Sequence, residues 1–167
     1  SMEKLGKLRP AFKKDGSVTA GNASGINDAA AAVLLMTEEK ADSLGLEKLA
    51  KIKAFAAGGL DPAYMGLGPV PAIRKVLKRT GMTIGDFDMI ELNEAFAAQA
   101  IGCMKELNID VEKPNELGSA ISIGHPIGCT GARQTVTAIH QMKRKNYGSC
   151  LISMCIGGGM GDRKSVV

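Results

Sequence analysis

Two stretches constrain what this chain can fold into. In residues 118–133, GSAISIGHPIGCTGAR, a short apolar run of β type (Ala120, Ile121, Ile123) stops at Gly124. His125 and Pro126 follow, then Gly128, Thr130 and Gly131, before a helical pattern starts at Ala132. A strand that breaks into glycines and restarts as a helix aims backbone N–H groups and a helix N-terminus at one point, which suits an anion or a developing oxyanion. In residues 151–161, LISMCIGGGMG, a buried-strand pattern ends at Cys155, just before Gly157, Gly158, Gly159 and Gly161. Glycines there let a ligand approach the backbone. A thiol and an imidazole, each at a strand end, form a candidate acid/base pair over a shared pocket.

Composition narrows the class. At 167 residues the chain can bury one real core but not two large ones. It has no run long enough to cross a bilayer and no charged-then-apolar leader at its start, so no membrane partner is expected and the cytoplasm is the expected location. Cys103, Cys129, Cys150 and Cys155 have neither C-x-x-C pairing nor the spacing of a secreted disulfide framework, and with two histidines the chain is poor in metal ligands. No metal site is expected. Cys103, Cys129 and Cys150 are read as packing thiols and Cys155 as a chemical one. The net charge of +4 comes in basic clusters, but with four phenylalanines, two tyrosines, no tryptophan and no nucleic-acid motif it reads as solvated helix faces, favourable to an anionic ligand.

The pattern along the chain predicts a basic arm over residues 1–23 and a deeply buried alanine-rich helix over 26–36, with Ser24 and Asn27 as natural N-caps. Thr37 caps a further helix through Leu44, ended by Gly45. Residues 51–56 alternate like a strand, and 58–68 read as a loop. A helix opens at Pro69 or Pro71, runs to about Arg79 and closes at Gly81. Residues 88–92 form a short strand, Asn93 stands at the turn into a helix reaching Leu107, and a basic-ended helix covers 132–145 with His140 as a packed or surface residue. Strands alternating with helices give an α/β layered domain with a mixed β-sheet flanked by helices.

GHPIGCTGAR and CIGGGMG resemble the two C-terminal signatures of the thiolases, enzymes that make or cleave 3-ketoacyl-coenzyme A. Residues 21–28, GNASGIND, and 93–99, NEAFAAQ, resemble two further thiolase segments in the right order. The resemblance covers roughly the C-terminal two-fifths of a thiolase of the acetyl-CoA acetyltransferase or 3-ketoacyl-CoA thiolase type. It implies that residues 1–23 correspond to the end of the family's loop domain and 24–167 to its C-terminal domain. The nucleophilic cysteine would then belong to an N-terminal half that is missing here. The implied reaction is Claisen condensation of acyl-coenzyme A, or thiolysis in reverse, on a coenzyme A thioester as substrate, with no separate cofactor. By resemblance, Cys155 is the base, with a lowered pKa. His125 and a water held by Asn93 serve one oxyanion and the Gly157 N–H the other, while Ser24, Ala20 and Phe96 contact the coenzyme A chain or shape its pocket. Asn-Glu-Ala-Phe argues against the family's lipid-carrier branch, and Cys155 against the ketoacyl synthases. The expected partners are an acyl-coenzyme A, a thiolase N-terminal half and further copies of the chain.

Other readings from different classes are a non-catalytic acyl-coenzyme A binding module and an oligomerising domain. Departures from the family pattern are Leu117 in place of asparagine, Ser119 in place of glycine, and the charged run 162–165, which is expected to leave the final strand frayed, exposed or absent.

Overall fold

The computed structural model describes the backbone of residues 1–166 and the side chains of residues 1–162. A short helix α1 (Met2–Gly6) precedes an irregular stretch, and α2 (Glu38–Ser43) begins where Thr37 accepts the Lys40 N–H at 3.3 Å. Strand β1 (Ile52–Gly59) leads through a 3-10 turn (Pro62–Leu67) into α3 (Pro69–Thr80), whose proline start and left-handed Gly81 end follow the helix-boundary rules. Then come β2 (Met89–Leu92), α4 (Ala97–Leu107), a single-turn α5 (Ala120–Ile123), α6 (Thr130–Lys145), β3 (Cys150–Ile156) and β4 (Met160–Val166).

Among the described residues the strands form one sheet in the order β1-β4-β3-β2, with β2 parallel to β3 and the other neighbours antiparallel. The mixed sheet expected from the sequence is present. Its two faces are assigned by strand alternation. Ile90, Leu92 and Leu151 join Val70, Ile73, Cys103, Met104 and Leu107 in a core with α3 and α4. Met89, Cys150 and Ile152 join Ala138 and Met142 of α6 on the other face.

Three expectations fail. Residues 26–36 form no helix: beyond the bridge at Ile26 the segment has no regular secondary structure, with Ile26 90%, Leu34 80% and Leu35 62% exposed. A helix apolar all round needs burial all round, and the described residues offer it no such layer. Of its expected caps, Asn27 is otherwise engaged, its Oδ1 accepting the His125 N–H. Second, the apolar run before His125 is the helical turn α5. Ser119 N–H donates to Ser122 Oγ, and that hydroxyl donates back to the Ser119 carbonyl, a local closure that three apolar residues cannot override. Third, the charged run does not prevent a last strand. β4 forms and lies between β1 and β3, because backbone pairing on both edges does not depend on side-chain polarity. Burial of its Arg163, Lys164 and Ser165 lies outside the described residues.

Candidate active site

The site grows from the end of β2. Asn115, at φ 62°, lays its side-chain amide beside Leu92, accepting the Leu92 N–H at 2.9 Å and donating to the Leu92 carbonyl at 2.9 Å. It thus stands in for a neighbouring strand. On the other edge, Asn93 N–H donates to the Ser153 carbonyl of β3 at 2.9 Å. Held on both sides, Asn93 is fully buried, and its Nδ2 lies 3.4 Å from His125 Nε2. Asn93 therefore does not cap α4, which starts four residues later behind Phe96.

His125 arrives from the other direction. Gly124 bends the chain at φ 106°, where a side chain would be strained and a Cβ would lie 2.7 Å from Asn27 Oδ1. His125 N–H then donates to that same oxygen at 3.0 Å, and Ile26 forms a parallel bridge to His125. The imidazole is clamped at its far nitrogen too, with Nδ1 2.8 Å from the Thr130 hydroxyl. Burial, assisted by the Arg133 charge, holds the His125 pKa below the ordinary imidazole value. The segment carrying Ser24 is stitched along the start of α4: Ala23 bridges Phe96, and Ala97 N–H donates to the Asn22 carbonyl. Phe96 in turn meets Phe12 edge-on, with ring centroids 5.8 Å apart.

Asn93 and Phe96, His125, and Ser24 are thus brought together from three separate parts of the chain. Ala20 sits exposed in the turn just before Asn22 and shares no hydrogen bond with His125. Cys155 is the penultimate residue of β3, paired with Gly161, and exposed Gly157 opens the hairpin turn. Among the described residues Cys155 makes no hydrogen bond to His125. Its thiol is pushed up from the ordinary value by burial, with its own backbone N–H opposing, so the lowered pKa expected from the sequence is overturned in this chain. Burial pushes the Cys103 thiol further, to about 11, with the neighbouring Cys155 among the smaller causes.

The sequence reading gave Asn27 only as an N-cap and Thr130 only as a turn residue, and Asn115 escaped it. Nothing in their local pattern shows that their partners lie across the fold, although Asn27 belongs to a quoted motif. Two clefts flank the site at the start of α6: one of about 380 Å³ lined by Asn27, residues 28–31, residues 126–129 and Ala132, the other including Gly131, Ile152, Met154 and Asp162. No group of three or more His, Cys, Asp or Glu that could hold a metal ion occurs among the described residues. Nor is any helix there long and apolar enough to cross a membrane.

The asparagine–histidine contact stands on segments that match known sequences. The thiolase C-terminal domain matches residues 46–167 and the thiolase N-terminal domain residues 1–39. The chain belongs to the thiolase family. The acetyl-CoA acetyltransferase of Chromobacterium violaceum is 58% identical over 161 residues, spanning 96% of this chain and 41% of that protein. The 3-ketoacyl-CoA thiolase of Bacillus subtilis is 56% identical over 157 residues, 94% of this chain and 40% of the relative. Among solved structures, the Bacillus anthracis acetyl-CoA acetyltransferase superposes with a TM-score of 0.96 at 52% identity. That match covers 99% of this chain and 42% of the other. Human mitochondrial 3-ketoacyl-CoA thiolase in complex with CoA gives 0.92 at 40% identity, with the same coverage. This thiolase chain therefore spans about two-fifths of the relatives it matches.

Proposed function

We propose that the chain is the C-terminal part of an acetyl-CoA C-acetyltransferase, acting in the cytoplasm on coenzyme A thioesters by Claisen condensation or thiolysis. The observation that carries this is the contact between buried Asn93 and His125 at the end of β2, one strand away from Cys155 and Gly157 at the end of β3. That layout puts an imidazole and an amide where an enolate oxygen can be bound, and a thiol and a turn N–H at the neighbouring strand end. His125 donates to the thioester oxygen as the enolate forms. Cys155 takes the proton from the carbon beside the thioester, and Gly157 offers its N–H to the second oxyanion. Ser24 and Phe96 line the approach of the coenzyme A chain, with Ala20 at its outer end.

The nucleophilic cysteine comes from a thiolase N-terminal half. Two features support such a partner: the largely exposed apolar residues 29–36, and Gln134, whose buried side-chain amide has no hydrogen-bond partner among the described residues. The same apolar exposure supports association of the chain with further copies. Without its nucleophile, acyl transfer has no acceptor, so the 167-residue chain alone is expected to be inactive.

The test is acetoacetyl-coenzyme A thiolysis by the chain alone, and by the chain co-expressed with the N-terminal half of a homologous thiolase. Turnover is expected in the second case only. His125→Ala in the pair is expected to cost about a hundredfold or more, the scale of one oxyanion donor. Full turnover by the chain alone, absent from a Cys155→Ala control, would show that the nucleophile has been misplaced. Coenzyme A binding by the pair without any turnover would favour a non-catalytic binding module.

A further inference from the structure

Thr130 is fully buried at the start of α6, with its hydroxyl oxygen 2.8 Å from Nδ1 of His125 and 3.0 Å from the carbonyl oxygen of Pro126. A hydroxyl has one hydrogen, so the two neighbours compete for it. The Pro126 carbonyl already accepts the Cys129 N–H at 2.7 Å and the Thr130 N–H at 2.8 Å, which accounts for both its lone pairs. For Nδ1, the Thr130 hydroxyl is the hydrogen-bond partner among the described residues, and it is the closer of the two neighbours. We infer that Thr130 is a positioning residue for His125: its hydroxyl donates to Nδ1 and thereby holds the neutral imidazole with its single proton on Nε2.

The consequence rests on the function proposed above. A neutral imidazole with Nε2–H can donate to a thioester oxygen without first taking up a proton, and burial of His125 favours the neutral ring. Tautomer, and not charge, then decides whether the donor is ready.

The experiment reads the tautomer directly and needs no turnover, so its failure and the failure of the thiolase reading are distinguishable. The 167-residue chain, labelled with nitrogen-15, is observed by long-range proton–nitrogen correlation of the histidine rings at about pH 8, well above the ordinary imidazole range. Exposed His140 on α6 is the internal control for folding. His125 is expected to show a pyrrole-type Nε2 and a pyridine-type Nδ1. Thr130→Val is expected to move it toward a mixture or the opposite form, and Thr130→Ser to restore it, with His140 unchanged throughout. An Nδ1–H pattern in the wild-type chain overturns the inference, whether or not the valine variant folds. So does an unaltered Nε2–H pattern in a folded Thr130→Val chain.

Discussion

The two faces of the sheet are finished differently. Against α3 and α4 the interior is apolar and contiguous, from Val70 and Ile73 through Ile90, Leu92 and Leu151 to Leu107. Against α6 the apolar cluster is smaller, and buried polar groups stand beside it. Glu91 is fully buried with its carboxylate 3.7 Å from the Arg133 guanidinium, Gln134 has no hydrogen-bond partner for its amide among the described residues, and Gln141 donates to Glu116 at 2.8 Å. Burial drives the Glu91 pKa up to about 7 despite the opposing Arg133 charge. One face is therefore a completed core that carries stability. The other tolerates unsatisfied polarity and lies beside the site, as expected where structure is spent on recognition.

The comparison can be broken most sharply by cavity mutations. Leu151→Ala, fully buried on the α3 and α4 face, is expected to cost about 3 to 4 kcal/mol in denaturant unfolding, and Met142→Ala on the α6 face about 2. Equal costs would mean that both faces are finished cores.

The next effect depends on pH. Glu91 has a folded pKa raised above its unfolded value, so its contribution to stability is fully present below about 4.5 and is lost as pH rises toward about 7. Glu91→Gln removes that loss. Wild type and variant are expected to differ little at the acid end, to diverge between about pH 4.5 and 7 and to keep a constant gap above that, the variant gaining up to about 3 kcal/mol from a shift of roughly two and a half pKa units. The depressed His125 acts in the opposite sense, its protonation in the unfolded chain favouring unfolding as pH falls through the ordinary imidazole range, but it is common to both proteins and cancels in the difference. Parallel curves from acid to alkaline pH would show that Glu91 is solvated.

A smaller effect is expected for Gln134→Leu, which replaces an unpartnered buried amide with an apolar group. Stability should change by less than about 1 kcal/mol in either direction, and a large loss would reveal a hydrogen bond made in solution. Least visible of all is thiol labelling of the native chain. Cys103 on one face and Cys150 on the other are both fully buried and should both resist a mild alkylating reagent, while partly exposed Cys129 and Cys155 react. Labelling of Cys150 ahead of Cys103 would show that the α6 face opens.

Helix ends were the most legible part of the fold. Thr37, Pro69, Gly81 and the basic end of α6 carry their signals locally, because caps, prolines and left-handed glycines act within one turn of the chain. The strands around residues 52, 89 and 150 were equally plain, since a run of apolar residues between turn signals needs little context. Residues 29–36 were illegible because an alanine-rich apolar run fits a helix or an extended chain equally well, and only what packs on it decides. The turn at 120–123 was lost to two serine hydrogen bonds, which no periodicity records.

In the site, the sequence by itself determined the candidate groups: an imidazole after Gly124, a thiol ahead of three glycines, and an asparagine at a strand end. Tertiary structure decided their relations. Asn93 meets His125 only because β2 and β3 pair side by side and Asn115 holds the strand end from 22 positions beyond Asn93. His125 is oriented by Asn27, 98 residues away, and by Thr130 at the start of α6. The thiol of Cys155 is raised, not lowered, because its pKa is set by burial and by which charges lie near, and both are properties of the packed chain.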